Sequence, residues 1–406
     1  MAAEQQVWAD RYLSWTAPLD WAPREASEVS EWGIDPGSGA AIRRLTAGAC
    51  YQDIIYSEQP YTSPDGRRFA ICRSRDSFLP GCELIVADVV TGQMWMVEPS
   101  IVRKFVANAA YTGWFHYHTH DRGVRRVSLT TLEKQQVVPA GGMPAGCELF
   151  SITPDQSTAL IHDSRQKDAP ALSTVSFATG EHTVIYRDPD NKNPHAQLDR
   201  ADGSKILFQK CDWTKKDFPL EVFVHDRTTG QRTQLPFGGR HTANPSGHMS
   251  WIGQTDAVAC LVEWRRGERL HDSRHPAGNL AIARPGDDAP RVIGGAGHAY
   301  WQIAVSRCGR YFLCNDFMDI EGNYRAGTDV LYDGARPSHR GALRLVAGSF
   351  ATGRTRTLIA DAPGSGRGHY FTADNKHVVY AATAWGQWHV FAAAVPEGFL
   401  ENLDAP

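Results

Sequence analysis

The sequence predicts an all-β fold, a seven-bladed β-propeller of four-stranded antiparallel blades, on three observations. A polar turn followed by a new strand recurs about every 50 residues. A second turn recurs in phase with the first. The two ends of the chain carry incomplete units, and each supplies what the other lacks.

The first turn is clearest in "YTSPDGRRFAICRS" (61–74), where Pro-Asp-Gly opens an alternating apolar strand. Related segments are "SITPDQSTALIHDS" (151–164), "LDRADGSKILFQKC" (198–211), "SWIGQTDAVACLVE" (250–263), "AVSRCGRYFLCNDF" (304–317) and "YFTADNKHVVYAAT" (370–383). Their anchors, Asp65, Asp155, Asp202, Gln254, Cys308 and Asp374, are spaced by 90, 47, 52, 54 and 66 residues. The first interval is double, which places a degenerate copy at "AAYTGWFHYHTH" (109–120) and brings the count to seven. The second turn is Thr91-Gly92, Thr179-Gly180, Thr229-Gly230 and Thr352-Gly353, with weaker versions in "VSLTTLEKQQVV" and "ARPGDDAPRVI". It falls between a third and a fourth strand. A pair of β-sandwiches would explain the strand density but not two turns in phase. The last unit ends at "WGQWHVFAAAVPE" without a fourth strand, and "DPGSGAAIRRLTA" (35–47) is a turn plus outer strand with no first three strands before it. An N-terminal strand that completes the last blade closes the ring and removes its open edges. The expected organisation is an extension over 1–34 and one propeller domain over 35–406.

Composition narrows the function classes. A formal charge of −3 over 406 residues gives no electrostatic case for nucleic acid or an anionic membrane. No apolar run reaches membrane-spanning length. The first residues carry acids and no apolar core run, unlike a secretory signal. Eight scattered cysteines with no CxxC pair read as free thiols of a reducing compartment, so a cytoplasmic location is expected.

First strands line a propeller's channel, and counting back from the first turns gives the residues that converge there. They are Glu58 or Gln59, Asn108, Glu148, His195, His248, Gln302 and His369. His195 and His248 precede their turns by similar distances, which puts two imidazoles at nearly one height on adjacent blades. His298 lies in an entering loop. His116, His118 and His120 fall on a second strand and are expected on a solvated face. Lys215, Lys216, Arg265 and Arg266 lie on loops after second strands, where they can form a cationic rim for an acidic ligand.

With "RRLT" near the start, the "SPDG" turns, "VSLTTLEKQQVV", "NPHAQLDRADGSKILF" and above all "GHMSWIGQTDAV", the chain resembles the oligogalacturonate lyases, polysaccharide lyase family 22. The similarity is collinear over nearly the whole chain. It implies a seven-bladed propeller that cleaves short uronic-acid-containing oligosaccharides by β-elimination. The family's His-x-x-Trp strand carries its base onto His248, and His195 matches a second histidine in the preceding blade. The resemblance also implies Mn²⁺, held by residues at the positions of His298, Gln302 and His369. The family's double-histidine motif is reduced here to His369, and its arginine position falls near Leu220. Lys210, Lys215, Arg265 and Arg367 are therefore the candidates for holding the uronate. Two further readings keep the same scaffold. One is a different sugar-active enzyme, by glycoside cleavage or isomerisation. The other is a sugar-binding propeller without chemistry.

Overall fold

The computed structural model describes residues 16–405 except 49, 57, 60–61, 75–80, 103–110, 164–169, 213–214, 216–219, 263–277, 294–297, 317–343, 363–367 and 385–386. Seven antiparallel sheets follow one another along the chain. Blade one runs outward from Tyr51–Ile54 through Arg68–Ser74 and Cys82–Asp88 to Gln93–Ile101. Blade two has three described strands, Trp114–His118, Val124–Ser128 and Lys134–Val138. Blades three to six each have four, and their first strands are Cys147–Ile152, Gln197–Leu198, Pro245–Trp251 and Tyr300–Val305. Blade seven holds His369–Phe371, His377–Ala384 and Gln387–Ala394.

The ring closes as the sequence predicts. Ala41–Arg44 pairs with the third strand of blade seven, Ile42 opposite Ala393 and Arg44 opposite Phe391. Residues expected in a separate extension belong to the sheets instead. Ser30–Ile34 adds a fifth strand to blade seven, and Arg24–Ser27 adds a fifth to blade one beside Gln93–Met96. Glu28 joins them, since its carboxylate takes Arg73 at 2.8 Å and the amide of Ala47 at 2.7 Å. One short N-terminal stretch thus ties the first blade to the last.

Both turns form as repeating hydrogen-bond units. Asp65, Asp155 and Asp374 each accept from a hydroxyl two residues back (Ser63, Thr153, Thr372) and from the amide two residues on. In the second turn the amides of Gly92, Gly180, Gly230 and Gly353 bond the carbonyl four residues back at 2.8–2.9 Å, all at φ of 69–74°. Glycine is favoured there because that region penalises a Cβ. Leu132 makes the same bond in blade two at φ 63°, which is why that repeat reads weakly in sequence.

The core is the space between neighbouring blades. Val222 and Val224 of blade four meet Met249, Trp251, Val258 and Cys260 of blade five. Ala259 and Leu261 of blade five pack with Ile303 and Phe312 of blade six. Middle strands are covered on both faces, so Val258–Val262 is buried throughout and shows no polar alternation. The same stacking corrects the expectation for blade two's histidines. His116 is fully buried, stacked at 5.9 Å on Phe177 of blade three, and burial pushes its pKa to about 3. His118 is buried as well, and burial, then His120, brings it to about 4.

Candidate active site

The first strands of blades three to six do not run straight beside their neighbours; each carries extra residues. In blade three Leu149 faces Ile161 while Ser151 faces Leu160, so one residue is extra. In blade four the Gln209 amide bonds the Pro194 carbonyl while Gln197 faces Leu207, so an extra residue accumulates at His195 and Ala196. Blade five has two extra, between Pro245 opposite Val262 and Met249 opposite Cys260, and His248 lies among them. Blade six has one, at Trp301 and Gln302. A bulge bends the strand and re-aims a side chain. Gly247, at φ 90°, permits the bend before His248; a Cβ there would lie 3.0 Å from Gln209 Oε1. His195 adopts a left-handed φ of 44°, a conformation that costs free energy in a non-glycine residue.

Blade one departs furthest. Ile54 faces Ile71 and Thr62 bridges Phe69, and the described residues between them, 55–56 and 58–59, lie outside that pairing. This excursion crosses the channel to the opposite blades. Gln59 Nε2 bonds the Phe150 carbonyl of blade three at 2.6 Å. Tyr56 and Glu58 reach blades four and five. The Glu58 carboxylate lies 3.4 Å from His195 Nδ1 and 3.2 Å from His248 Nδ1. Gln197 Nε2 donates to it at 3.1 Å and the Met249 amide at 3.3 Å. Its main-chain carbonyl accepts from Ser250 Oγ and Arg200, both at 3.1 Å. Tyr56 Oη sits 2.8 Å from His248 Nδ1.

The electrostatics of this cluster follow from burial and pairing. Burial raises the Glu58 pKa, but His195 and His248 outweigh it and hold the carboxyl below its ordinary value, ionised at neutral pH. Burial dominates at His248 and holds the imidazole below its ordinary value, although Glu58 pulls the other way. A neutral ring that donates to the Glu58 carboxylate carries its proton on Nδ1, where Tyr56 Oη then accepts as well. That tautomer leaves the Nε2 lone pair available, and Nε2 has no hydrogen bond among the described residues. The ligand-capable atoms of Glu58, His195 and His248 lie within 4.8 Å of one another, so the three together can hold a metal ion.

The other sequence candidates fall elsewhere. His298 Nδ1 meets Asp316 at 2.7 Å and Nε2 meets Thr355 at 3.3 Å, so both ring nitrogens are occupied within blade six. His369 Nε2 bonds the Leu313 carbonyl at 3.1 Å, and burial brings its pKa to about 4. His369 Nδ1 and Gln302 Oε1 are buried without a hydrogen-bond partner. With His298 engaged, that leaves two neutral donors, too few for the expected Mn²⁺ set. Lys210 pairs with Asp188 at 3.1 Å and Lys215 with Asp190 at 2.5 Å. Asn108, Lys216, Arg265, Arg266 and Arg367 lie outside the described residues. Tyr56 and the role of Glu58 were missed. Glu58 was legible as a channel residue, but nothing local marks an excursion that crosses to the far blades.

No family model and no curated relative matches the sequence. Solved structures do. An oligogalacturonate lyase in complex with manganese aligns over 93% of this chain and 99% of its own at 15% identity, with a TM-score of 0.65. The fold is the oligogalacturonate lyase fold. A second such lyase, from Vibrio parahaemolyticus, aligns over 93% and 100% at 14% identity, with a TM-score of 0.64. The β-propeller domain of the Trilobed protease from Pyrococcus furiosus aligns over 85% and 95% at 10% identity, with a TM-score of 0.50. The likeness therefore extends to propellers that are not lyases. Among the described residues no helix is long and apolar enough to cross a membrane.

Proposed function

We propose that this chain is a carbon–oxygen lyase that cleaves short uronic-acid-containing oligosaccharides by β-elimination, with His248 as base. The observation that carries this reading is the Glu58–His248 pair, which fixes Nδ1 and leaves Nε2 to accept a proton in the channel. The base takes the hydrogen α to the uronate carboxyl, its electron pair becomes the new C=C bond, and the C–O bond to the leaving sugar breaks. The departing oxygen takes a proton, and His195, 6.0 Å from His248 between ring centroids, is the neighbouring group suited to deliver it. Lys210, Lys215, Arg265 and Arg367 remain the proposed uronate-binding cations. The test is incubation with saturated and unsaturated short oligouronides, read by the ultraviolet absorbance of the conjugated product. His248→Ala is expected to lower kcat by about 10³-fold. Wild-type protein that binds the sugars without forming a double bond returns the chain to a binding propeller or another sugar chemistry.

The 4.8 Å cluster favours a second reading, in which Glu58, His195 and His248 themselves hold a divalent ion such as Mn²⁺. Two imidazoles and a carboxylate suit that ion. Bound there, it would supply positive charge toward the uronate. The two readings exclude each other at His248, because a metal on Nδ1 takes the position of the proton shared with Glu58. Metal analysis decides. Stoichiometric metal lost in Glu58→Ala and His195→Ala but kept in His298→Ala establishes the metal centre. Full turnover after chelation leaves His248 as base.

A further inference from the structure

We infer that Trp301 is a sugar-stacking platform beside His248, and that Asn279 and Asn315 hold it in place. The inference rests on the sugar-active reading above and names the subsite that grips the ring. Trp301 lies in the blade-six bulge, where the strand is out of register. Its indole is 5.4 Å from the His248 ring between centroids, tilted 58°. The Tyr56 ring is 6.1 Å from His248 and 5.6 Å from His195. Tyr300 and Gln302, on either side of Trp301, are buried, while Trp301 and Tyr56 are only half-buried. Two half-buried aromatic rings thus lie against the His248 imidazole.

The bend that presents Trp301 is held by buried polar side chains. Asn279 accepts from the Tyr300 amide at 3.1 Å and donates to the Tyr300 carbonyl at 2.8 Å. Asn315 Oδ1 accepts from the Gln302 amide at 2.7 Å. Asn279 is 3% exposed and Asn315 fully buried. Burying an amide is costly unless it is fully hydrogen-bonded. Here two of them replace the ladder bonds that the bulge gives up, on both sides of one tryptophan. A ligand matched to such walls has an apolar ring face and a polar rim, which describes a pyranose.

The test compares Trp301→Ala and Trp301→Phe with wild type, by turnover of short oligouronides and by calorimetric binding of the same sugars and of a neutral disaccharide. Trp301→Ala is expected to raise KM, or the binding Kd where no turnover occurs, roughly tenfold, with kcat within about twofold. Trp301→Phe should recover most of the loss. Wild-type turnover or binding that Trp301→Ala leaves unchanged overturns this inference and spares the functional reading. Binding lost in the variant without any lyase product supports the platform and overturns the lyase. Wild type that neither binds nor turns over any sugar overturns both.

Discussion

At the scale of the residue, one carboxylate organises the channel. The Glu58 carboxylate meets two imidazoles and accepts from a side-chain amide and a main-chain amide, so its charge is compensated where it is buried. It raises the pKa of His248 while burial lowers it. This opposition yields a signed prediction. Glu58→Gln keeps the shape, removes the charge and should lower kcat on the order of 10²-fold. As His248 must be neutral to accept a proton, kcat/KM rises with pH through its pKa. Without Glu58 that acidic limb moves to lower pH. A limb that stays in place would disconnect the carboxylate from the base.

At the scale of the element, the blades combine regular turns with irregular first strands. The turns are built from local chemistry, an aspartate or a glycine at a fixed offset, and they also set how closely blades approach. Gly253 and Gly309 lie in the first turns of blades five and six, at φ 59° and 71°, and a Cβ on either would come 3.0 Å from the other's Cα. Gly309→Ala therefore meets backbone rather than a yielding side chain, in a conformation that disfavours a Cβ. The expected cost is about 1–2 kcal/mol, seen as a lower Tm, with the oligouronide KM unchanged because the turn is remote from His248. The bulges are the reverse case. They loosen pairing at Phe150, His195, His248 and Trp301, and the last three side chains come together: His195 and His248 meet Glu58, and Trp301 meets His248.

For the whole molecule, stacked sheets place histidines where water does not reach. His116, His118 and His369 sit between blades with their pKa pushed to about 3, 4 and 4, chiefly by burial. They are neutral in the folded chain but take up protons near their ordinary value of about 6.5 when unfolded. The unfolded state thus binds more protons below that pH, and stability is lost as pH falls from about 6.5 toward 4. Thermal unfolding against pH should show this decline. His116→Phe, which keeps an aromatic ring against Phe177, should flatten it, and an equally steep decline in that variant would remove His116 as a cause.

The number of blades, their recurring turns and the strand that closes the ring can be read from the sequence alone. These are periodic or local properties: a residue type at a fixed distance from a turn. Only the folded chain shows that Glu58 meets two histidines, that Trp301 lies against His248 and that His298 is committed to Asp316. Glu58 and His248 are 190 positions apart and meet only because closure of the ring brings blade one opposite blade five. The hydrophobic pattern specifies strands that pack face to face, and it carries no mark of an excursion whose partners lie across the channel.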